Sequence, residues 1–152
     1  MAEFLFKLEA VLQQRRTIED QRQRDLAKVL RQRMILLDQL RSMQSTITQS
    51  KSDLRTGLTG AVDMNSVAQF ARFSGQATAR AHAIVAKLAT IERQAEHARL
   101  HLVEATQARK AIERLREKQF RKWKTEQDRR EAAMLDDIGV GQYAFRLVMG
   151  TQ

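Results

Sequence analysis

Apolar residues recur at alternating spacings of three and four along two long stretches of the chain. The first stripe consists of Leu26, Val29, Arg33, Leu36, Leu40, Met43, Ile47, Ser50 and Leu54, and Leu8, Val11 and Ile18 extend it upstream less regularly. The second stripe consists of Ala81, Ile84, Leu88, Ile91, Ala95, Ala98, Leu102, Ala105, Arg109, Ile112 and Leu115. A repeat of about 3.5 residues keeps one helix face against a partner helix, so both stretches predict coiled-coil helices.

One break, RTGLTGAVDMNS at residues 55–66, separates the stripes. Gly57 and Gly60 can end a helix, because glycine tolerates positive φ. The run from Ser66 to Gln69 has the pattern of a capping box, in which both side chains satisfy free backbone N–H groups. Because a short turn makes two long helices antiparallel neighbours, the predicted fold is all-α, an antiparallel two-helix coiled-coil hairpin.

We predict a single coiled-coil domain over residues 1–152. Its first helix spans about residues 3–56, its turn residues 57–65 and its second helix about residues 66–138. Gly139 and Gly141 are expected to stop the second helix before a tail of residues 139–152. The apolar part of this tail, residues 140–149, has no role that the pattern indicates.

The two predicted arms differ in length. If the turn centres near residue 61, Phe4 and Phe6 lie opposite residues 116–118. The residues expected beyond the last partner are Phe120, Trp123, Met134, Leu135 and Ile138. A helix overhang with unpaired apolar residues either frays or inserts into a partner. In the alternative interpretation, Trp123 packs back on Phe4 and Phe6 and closes the base of the hairpin.

Composition supports long helices and excludes some chemistry. The chain has no proline and no cysteine, 30% charged residues and only 5% aromatic residues. It therefore forms no disulfide and no thiolate metal site. No apolar run reaches the roughly 18 residues of a membrane span, and the charged start MAEFLFKLEAVLQQRR is unlike a signal peptide. We expect a cytoplasmic protein.

The net charge of +9 is spread along the chain. Residues 1–56 carry +4, residues 57–118 carry +4, and residues 119–152, which contain the aromatic and basic stretch around Trp123, carry only +1. Nucleic-acid binders concentrate positive charge on one face or in one block. The even distribution weakens a nucleic-acid interpretation of the Trp123 region without excluding it.

No catalytic or cofactor motif is visible, so we predict no enzymatic activity and no cofactor. The chain has no phosphate-binding loop and no nucleophile elbow. His97 and His101 lie one helical turn apart, but the glutamate of a zinc-protease helix is missing between them, which favours a solvated helix face over a metal site.

Four side chains in the seam region have open assignments. Arg33 and Arg109 occupy stripe positions, where their stems can pack while the guanidinium groups reach water; control of register or a binding face is the alternative. Phe70 and Phe73 follow the turn, where they either cap the seam or form an exposed docking point.

The two ends of the chain resemble a known family. FLFKLEAVLQQRRTIEDQRQRDLA, residues 4–27, has the aromatic–apolar start and the Glu/Gln/Arg-rich helix of the flagellar type III export protein FliJ family. ARKAIERLREKQFRKWKTEQDRREAAMLDDIG, residues 108–139, resembles its closing segment through Arg109-Lys110, Leu115, Trp123 and residues 135–138. The resemblance covers roughly residues 4–138, and the middle matches only in pattern.

The resemblance implies a non-enzymatic export component with a hairpin fold, similar to the central stalk of rotary ATPases. Its implied partners are the hexameric export ATPase, the cytoplasmic domain of the export-gate membrane protein, and export chaperones, at the cytoplasmic face of the inner membrane. The residues implied to contact the ATPase are Phe4, Phe6, Arg114, Lys118, Phe120 and Trp123, and those implied to contact the export gate are Phe70 and Phe73. The isolated chain is expected to be monomeric.

Three alternatives stay open at this point. The injectisome counterpart of the stalk is hard to separate from the flagellar one by sequence. A basic coiled-coil nucleic-acid binder would show salt-sensitive binding to random DNA. A dimerising scaffold rod has no need of the Gly57–Ser66 break.

Overall fold

In a computed structural model, which describes residues 3–150, the chain forms two long α-helices packed against each other as a helical hairpin. Helix α1 spans Glu9–Gly57 and helix α2 spans Met64–Met149. The described residues contain no β-strand. The predicted all-α hairpin is therefore confirmed.

The hairpin divides into two compact units. One unit, here called the turn unit, is Ile18–Ala105 and holds the connection between the helices. The other, here called the terminal unit, combines residues 3–17 with residues 106–150. Each unit has its own packing.

In the turn unit, every stripe residue that the sequence predicts from Leu26 to Leu54 and from Ala81 to Leu102 is shielded relative to the exposed residues beside it. Ala77 and Ala105 are buried, which lets the helices approach closely at these points. Arg33 lies on the stripe, and its guanidinium forms an ion pair with Glu92 of the other helix. The seam is thus mainly apolar. At Arg33 it is polar, and there the positive charge is paired with Glu92 of the other helix.

The turn is held by Gly60 and Asp63. Among residues 3–150, only Gly60 has a positive φ, 120°, a conformation that favours glycine. The Asp63 carboxylate accepts hydrogen bonds from the Asn65 N–H at 2.9 Å and from the Ser66 hydroxyl at 3.2 Å. Asp63 is therefore the N-cap of α2. Helix α2 thus begins two residues before the predicted start of about residue 66, and the predicted Ser66–Gln69 capping box is wrong, because Asp63 caps the helix.

Helix α1 begins at Glu9, so the predicted start near residue 3 is wrong. Phe4 is half-buried, Leu5 is 84% exposed and Phe6 is 7% exposed. This alternation has the period of two residues that belongs to extended chain, and a helix would turn one of the two phenylalanines outward. The helix starts where the Glu9 N–H donates to the Phe6 carbonyl at 3.1 Å.

Helix α2 continues through Gly139 and Gly141 to Met149, so the predicted end at Ile138 is also wrong. Neither glycine has a positive φ. Glycine permits a helix end without forcing one, and no proline or competing cap follows these two positions. Of the predicted tail, residues 139–149 are helical, and residues 151–152 lie outside the described part.

Candidate partner-binding surfaces

An aromatic cluster of Phe4, Phe120 and Trp123 lies in the terminal unit. The Phe4 ring centroid is 5.3 Å from that of Phe120, in an edge-on arrangement, and 5.8 Å from that of Trp123. Phe120 and Trp123 stack at 5.8 Å along α2. Phe4 and Trp123 are half-buried and Phe120 is 42% exposed. The cluster thus packs internally and still presents ring surface to solvent.

The position of Phe4 corrects the overhang that the sequence predicts. Phe120 and Trp123 were expected beyond the last partner residue, but Phe4 contacts both. The reason is the extended start of the chain. Residues 4–6 are not helical. Extended chain advances about 1.8 Å more per residue than a helix, so three such residues add about 5 Å, or roughly three to four residues of the facing helix. The alternative interpretation, in which Trp123 packs back on Phe4, is confirmed for that contact.

Phe6 occupies a different environment from Phe4. It is 7% exposed, and Leu12, one turn into α1, is fully buried. These two side chains form the core of the terminal unit. Phe6 therefore supports the segment that carries Phe4 and is covered in the isolated chain.

Ion pairs join the two arms of the terminal unit beside this core. Arg116 pairs with Glu9 at 3.0 Å, and Arg16 pairs with Glu113 at 3.1 Å. Glu113 also pairs with Arg109 at 2.6 Å, four residues earlier on α2. Arg109 is the stripe arginine of this unit, and its guanidinium is part-buried in this network. The network links α1 and α2 at two points and helps to define their register.

Arg114 and Lys118 lie on an exposed row of basic residues in α2. Lys110, Arg114, Lys118 and Lys122 follow one another at four-residue spacing, so they share one side of the helix. All four are exposed, and none forms an ion pair with another residue of the described 3–150 range. Trp123 lies about half a turn away from Arg114 around the helix axis. The structure therefore places the basic row and the aromatic cluster on different sides of α2.

Phe70 and Phe73 line a hollow in the turn unit. It encloses about 420 Å³ between the end of α1 and the start of α2, with Leu54, Leu58 and Val62 among its apolar walls. Phe73 is 38% exposed and Phe70 is half-buried. The rings cover the end of the seam and also line an open hollow, and docking of a partner there stays a prediction.

Beyond residue 130, α2 continues as an exposed apolar stretch, here called the C-terminal segment and comprising residues 131–149. The sequence predicts Met134, Leu135 and Ile138 beyond the last partner residue, but it places the end of the helix before Gly139. All of its residues are exposed. Its large apolar side chains include Met134, Leu135, Ile138, Val140, Tyr143, Phe145, Val148 and Met149. The signal was present in the sequence as an apolar stripe, but the assumed stop at Gly139 divided it.

His97 and His101 lie on the exposed side of α2, with ring centroids 6.3 Å apart. The Nδ1 atom of His101 is 3.7 Å from Glu104. The nearby Glu96 is engaged by Arg99, whose hydrogen bond lowers the pKa of the Glu96 carboxyl. Within residues 3–150, no group of three His, Cys, Asp or Glu side chains is placed to hold a metal ion.

Neither helix contains, in the part of the chain that the structure describes, a stretch long and apolar enough to cross a membrane. The profile of the family described as Flagellar FliJ protein matches residues 4–147. No curated protein and no solved structure matches the chain.

Proposed function

The chain belongs to the flagellar FliJ protein family, whose members are non-catalytic components of the flagellar export apparatus, and from this premise we propose that it acts as the central stalk of the export ATPase. Family membership implies interaction with that ATPase. The observation that carries the proposal is the aromatic cluster, to which both arms of the hairpin contribute and which remains partly exposed. A surface assembled this way exists only in the folded hairpin.

We assign the ATPase contact to the terminal unit. Partly exposed aromatic rings are frequent anchors of protein interfaces, because they bury large areas with little loss of side-chain freedom. Phe4, Phe120 and Trp123 provide such rings, and Arg114 and Lys118 provide unpaired charges on the opposite side of α2. Phe6 contributes by holding the extended start in place. A stalk enclosed by a ring of subunits can use both sides of α2 at once.

The turn unit is proposed to contact the export gate. The hollow beside Phe70 and Phe73 is open, and its apolar walls suit an apolar anchor from the cytoplasmic domain of the gate protein. Asp53 and Asp63 also line the hollow and favour a partner with a nearby positive charge. Binding of export chaperones is proposed from the family alone, as is a location at the cytoplasmic face of the inner membrane.

The test is hydrolysis of ATP by the purified cognate export ATPase as this protein is added. We expect the chain to raise turnover and to hydrolyse no ATP itself. Trp123→Ala should weaken binding about thirtyfold, since truncating a tryptophan anchor costs about 2 kcal/mol and about 1.4 kcal/mol corresponds to a factor of ten. The double variant Arg114→Ala/Lys118→Ala should also weaken binding, with a reduced dependence on salt.

Lys28→Ala is the matched control, because Lys28 is an exposed basic residue of the turn unit. It should stimulate the ATPase like the unaltered chain. Thermal unfolding of each variant separates contact from stability. The proposal is wrong if the ATPase is unaffected at all concentrations, or if the chain alone hydrolyses ATP. A large fall in melting temperature for Trp123→Ala with unchanged ATPase binding would make Trp123 purely structural.

A further inference from the structure

The C-terminal segment carries an apolar stripe with coiled-coil spacing. Its members are Met134, Ile138, Gly141, Phe145 and Val148, at spacings of four, three, four and three. The four large side chains among them are between 55% and 75% exposed. Steps of four, three and four lead from Trp123 through Gln127 and Arg130 to Met134. The stripe thus continues the side of α2 that faces the first arm in the terminal unit, beyond the part of that arm that the structure describes.

Among the described residues, neither backbone conformation nor close packing requires glycine at the two glycine positions of the segment. A glycine inside a helix is about 1 kcal/mol less favourable than alanine. Neither Gly139 nor Gly141 has a positive φ, and a Cβ atom added at either would meet nothing within 4 Å. Gly141 lies on the apolar stripe, whereas Gly139 lies on the opposite side of the helix. A glycine on a stripe of large side chains leaves a gap that a partner side chain can fill.

We propose that the C-terminal segment pairs with the same segment of a second copy, antiparallel, to form a dimer through α2. Phe145 is the large side chain next along the stripe from Gly141. In an antiparallel pair, Phe145 of each copy enters the gap at Gly141 of the other, and Ile138 meets Val148. This register alternates the two core positions of the heptad across the interface, as antiparallel coiled coils do. The two-fold axis passes near Gln142 and Tyr143.

The charges of the segment favour the antiparallel arrangement. Asp136 and Asp137 are adjacent and exposed. In the proposed register Asp137 lies opposite Met149, so the acidic pairs of the two copies are about 18 Å apart, beyond the screening length of about 8 Å at physiological salt. A parallel pair would bring like charges together, place Phe145 against Phe145 and leave the Gly141 gaps empty.

A second copy fits this stripe because the segment complements itself: it supplies both the gap and the side chain that fills it. A closed two-fold interface also uses the stripe of both copies and leaves none exposed. The contact is short, about four helical turns, so the dimer is weak and depends on concentration. This replaces the expectation of a strictly monomeric isolated chain. It does not depend on the proposed ATPase contact.

Sedimentation equilibrium of the full chain over a range of concentrations tests the dimer. The unaltered chain should shift from monomer to dimer as its concentration rises. Gly141→Leu fills the gap and should weaken association at least tenfold. Gly139→Leu is the matched control, since it removes the same residue type from the same helix on the opposite side, and it should associate like the unaltered chain. Circular dichroism checks that both variants keep their helix content.

A cysteine pair tests the orientation, because the natural chain has no cysteine. Gln142→Cys lies near the proposed two-fold axis and should form a covalent dimer on oxidation. Glu131→Cys lies beyond the paired region and should not. Equal cross-linking at both positions would show a parallel pair and overturn the arrangement. A chain that stays monomeric into the millimolar range, or two glycine variants that behave alike, would overturn the dimer.

Discussion

At the scale of single residues, the terminal unit depends on the contrast between Phe4 and Phe6. The two side chains are two positions apart in extended chain, so both point toward α2 while Leu5 points to solvent. Phe6 and Leu12 are both buried, and Phe4 contacts Trp123. The core contact holds the segment in place, and the outer contact shapes the surface that a partner meets.

Trp123 is the only tryptophan, so its fluorescence reports on this unit alone. Phe4→Ala removes the ring 5.8 Å from the indole and exposes it further to water. We expect a red shift of the emission and a lower free energy of unfolding, by about 1–2 kcal/mol for a half-buried aromatic residue. The measurement is emission during urea unfolding. Phe73→Ala, in the turn unit, should leave the emission unchanged, and an unchanged spectrum in Phe4→Ala would contradict the contact.

At the scale of elements, the positions of the helix ends depend more on backbone conformation and capping side chains than on the apolar pattern. Helix α1 ends at Gly57 without a positive φ, and the reversal of direction falls on Gly60. Asp63 then starts α2. Three different residues thus end α1, reverse the chain direction and cap α2. Of the two glycines, only Gly60 has a backbone conformation that favours glycine.

Alanine substitution of the two turn glycines should therefore give opposite results. Gly60→Ala places a Cβ at φ 120° and should destabilise the turn unit by about 1–3 kcal/mol. Gly57→Ala meets no atom within 4 Å and should be neutral or stabilising, by up to about 1 kcal/mol. Urea unfolding followed by circular dichroism compares the two. Equal destabilisation would mean that the Gly60 conformation is not what holds the turn.

The sequence predicts the seam well because heptad spacing is a property of the helix itself. The stripe residues from Leu26 to Leu54 and the second stripe through Leu115 are all shielded in the structure. The ends were predicted poorly for physical reasons. Asp63 and Ser66 are both good caps, and glycine is compatible with a helix as well as with its end. Phe4 lies farther along α2 than the pattern predicts, because residues 4–6 are not helical and advance farther per residue than a helix.

At the scale of the whole molecule, each of the two units carries candidate binding surfaces of its own. The hollow with Phe70 and Phe73 belongs to the turn unit, and the aromatic cluster and basic row belong to the terminal unit. The chain belongs to a family of non-catalytic components of the flagellar export apparatus. The proposed link between the ATPase and the export gate requires that one continuous chain carries both surfaces.

A cross-link within one chain tests the intramolecular seam. Gln39 and Ala83 line the same hollow between the helices, so a short bifunctional thiol reagent should join Gln39→Cys to Ala83→Cys in dilute solution. The product should keep the mass of a single chain. In the control pair, Gln23→Cys with Ala83→Cys, the first site is moved about 24 Å along α1, and no product is expected. Products with only the mass of two chains would contradict the hairpin.

The ion pair between Glu9 and Arg116 has a consequence for the order in which the two units fold during synthesis. It joins residues 107 positions apart, whereas the turn unit closes around a short connection. Closing a long loop carries a larger entropy cost than closing a short one. We therefore expect the two helices to pair first near the turn and then progressively toward the chain ends during synthesis. A nascent chain that has reached residue 105 contains the whole turn unit and only the first arm of the terminal unit. The aromatic cluster therefore appears last, and a truncated product lacks the surface proposed to bind the ATPase.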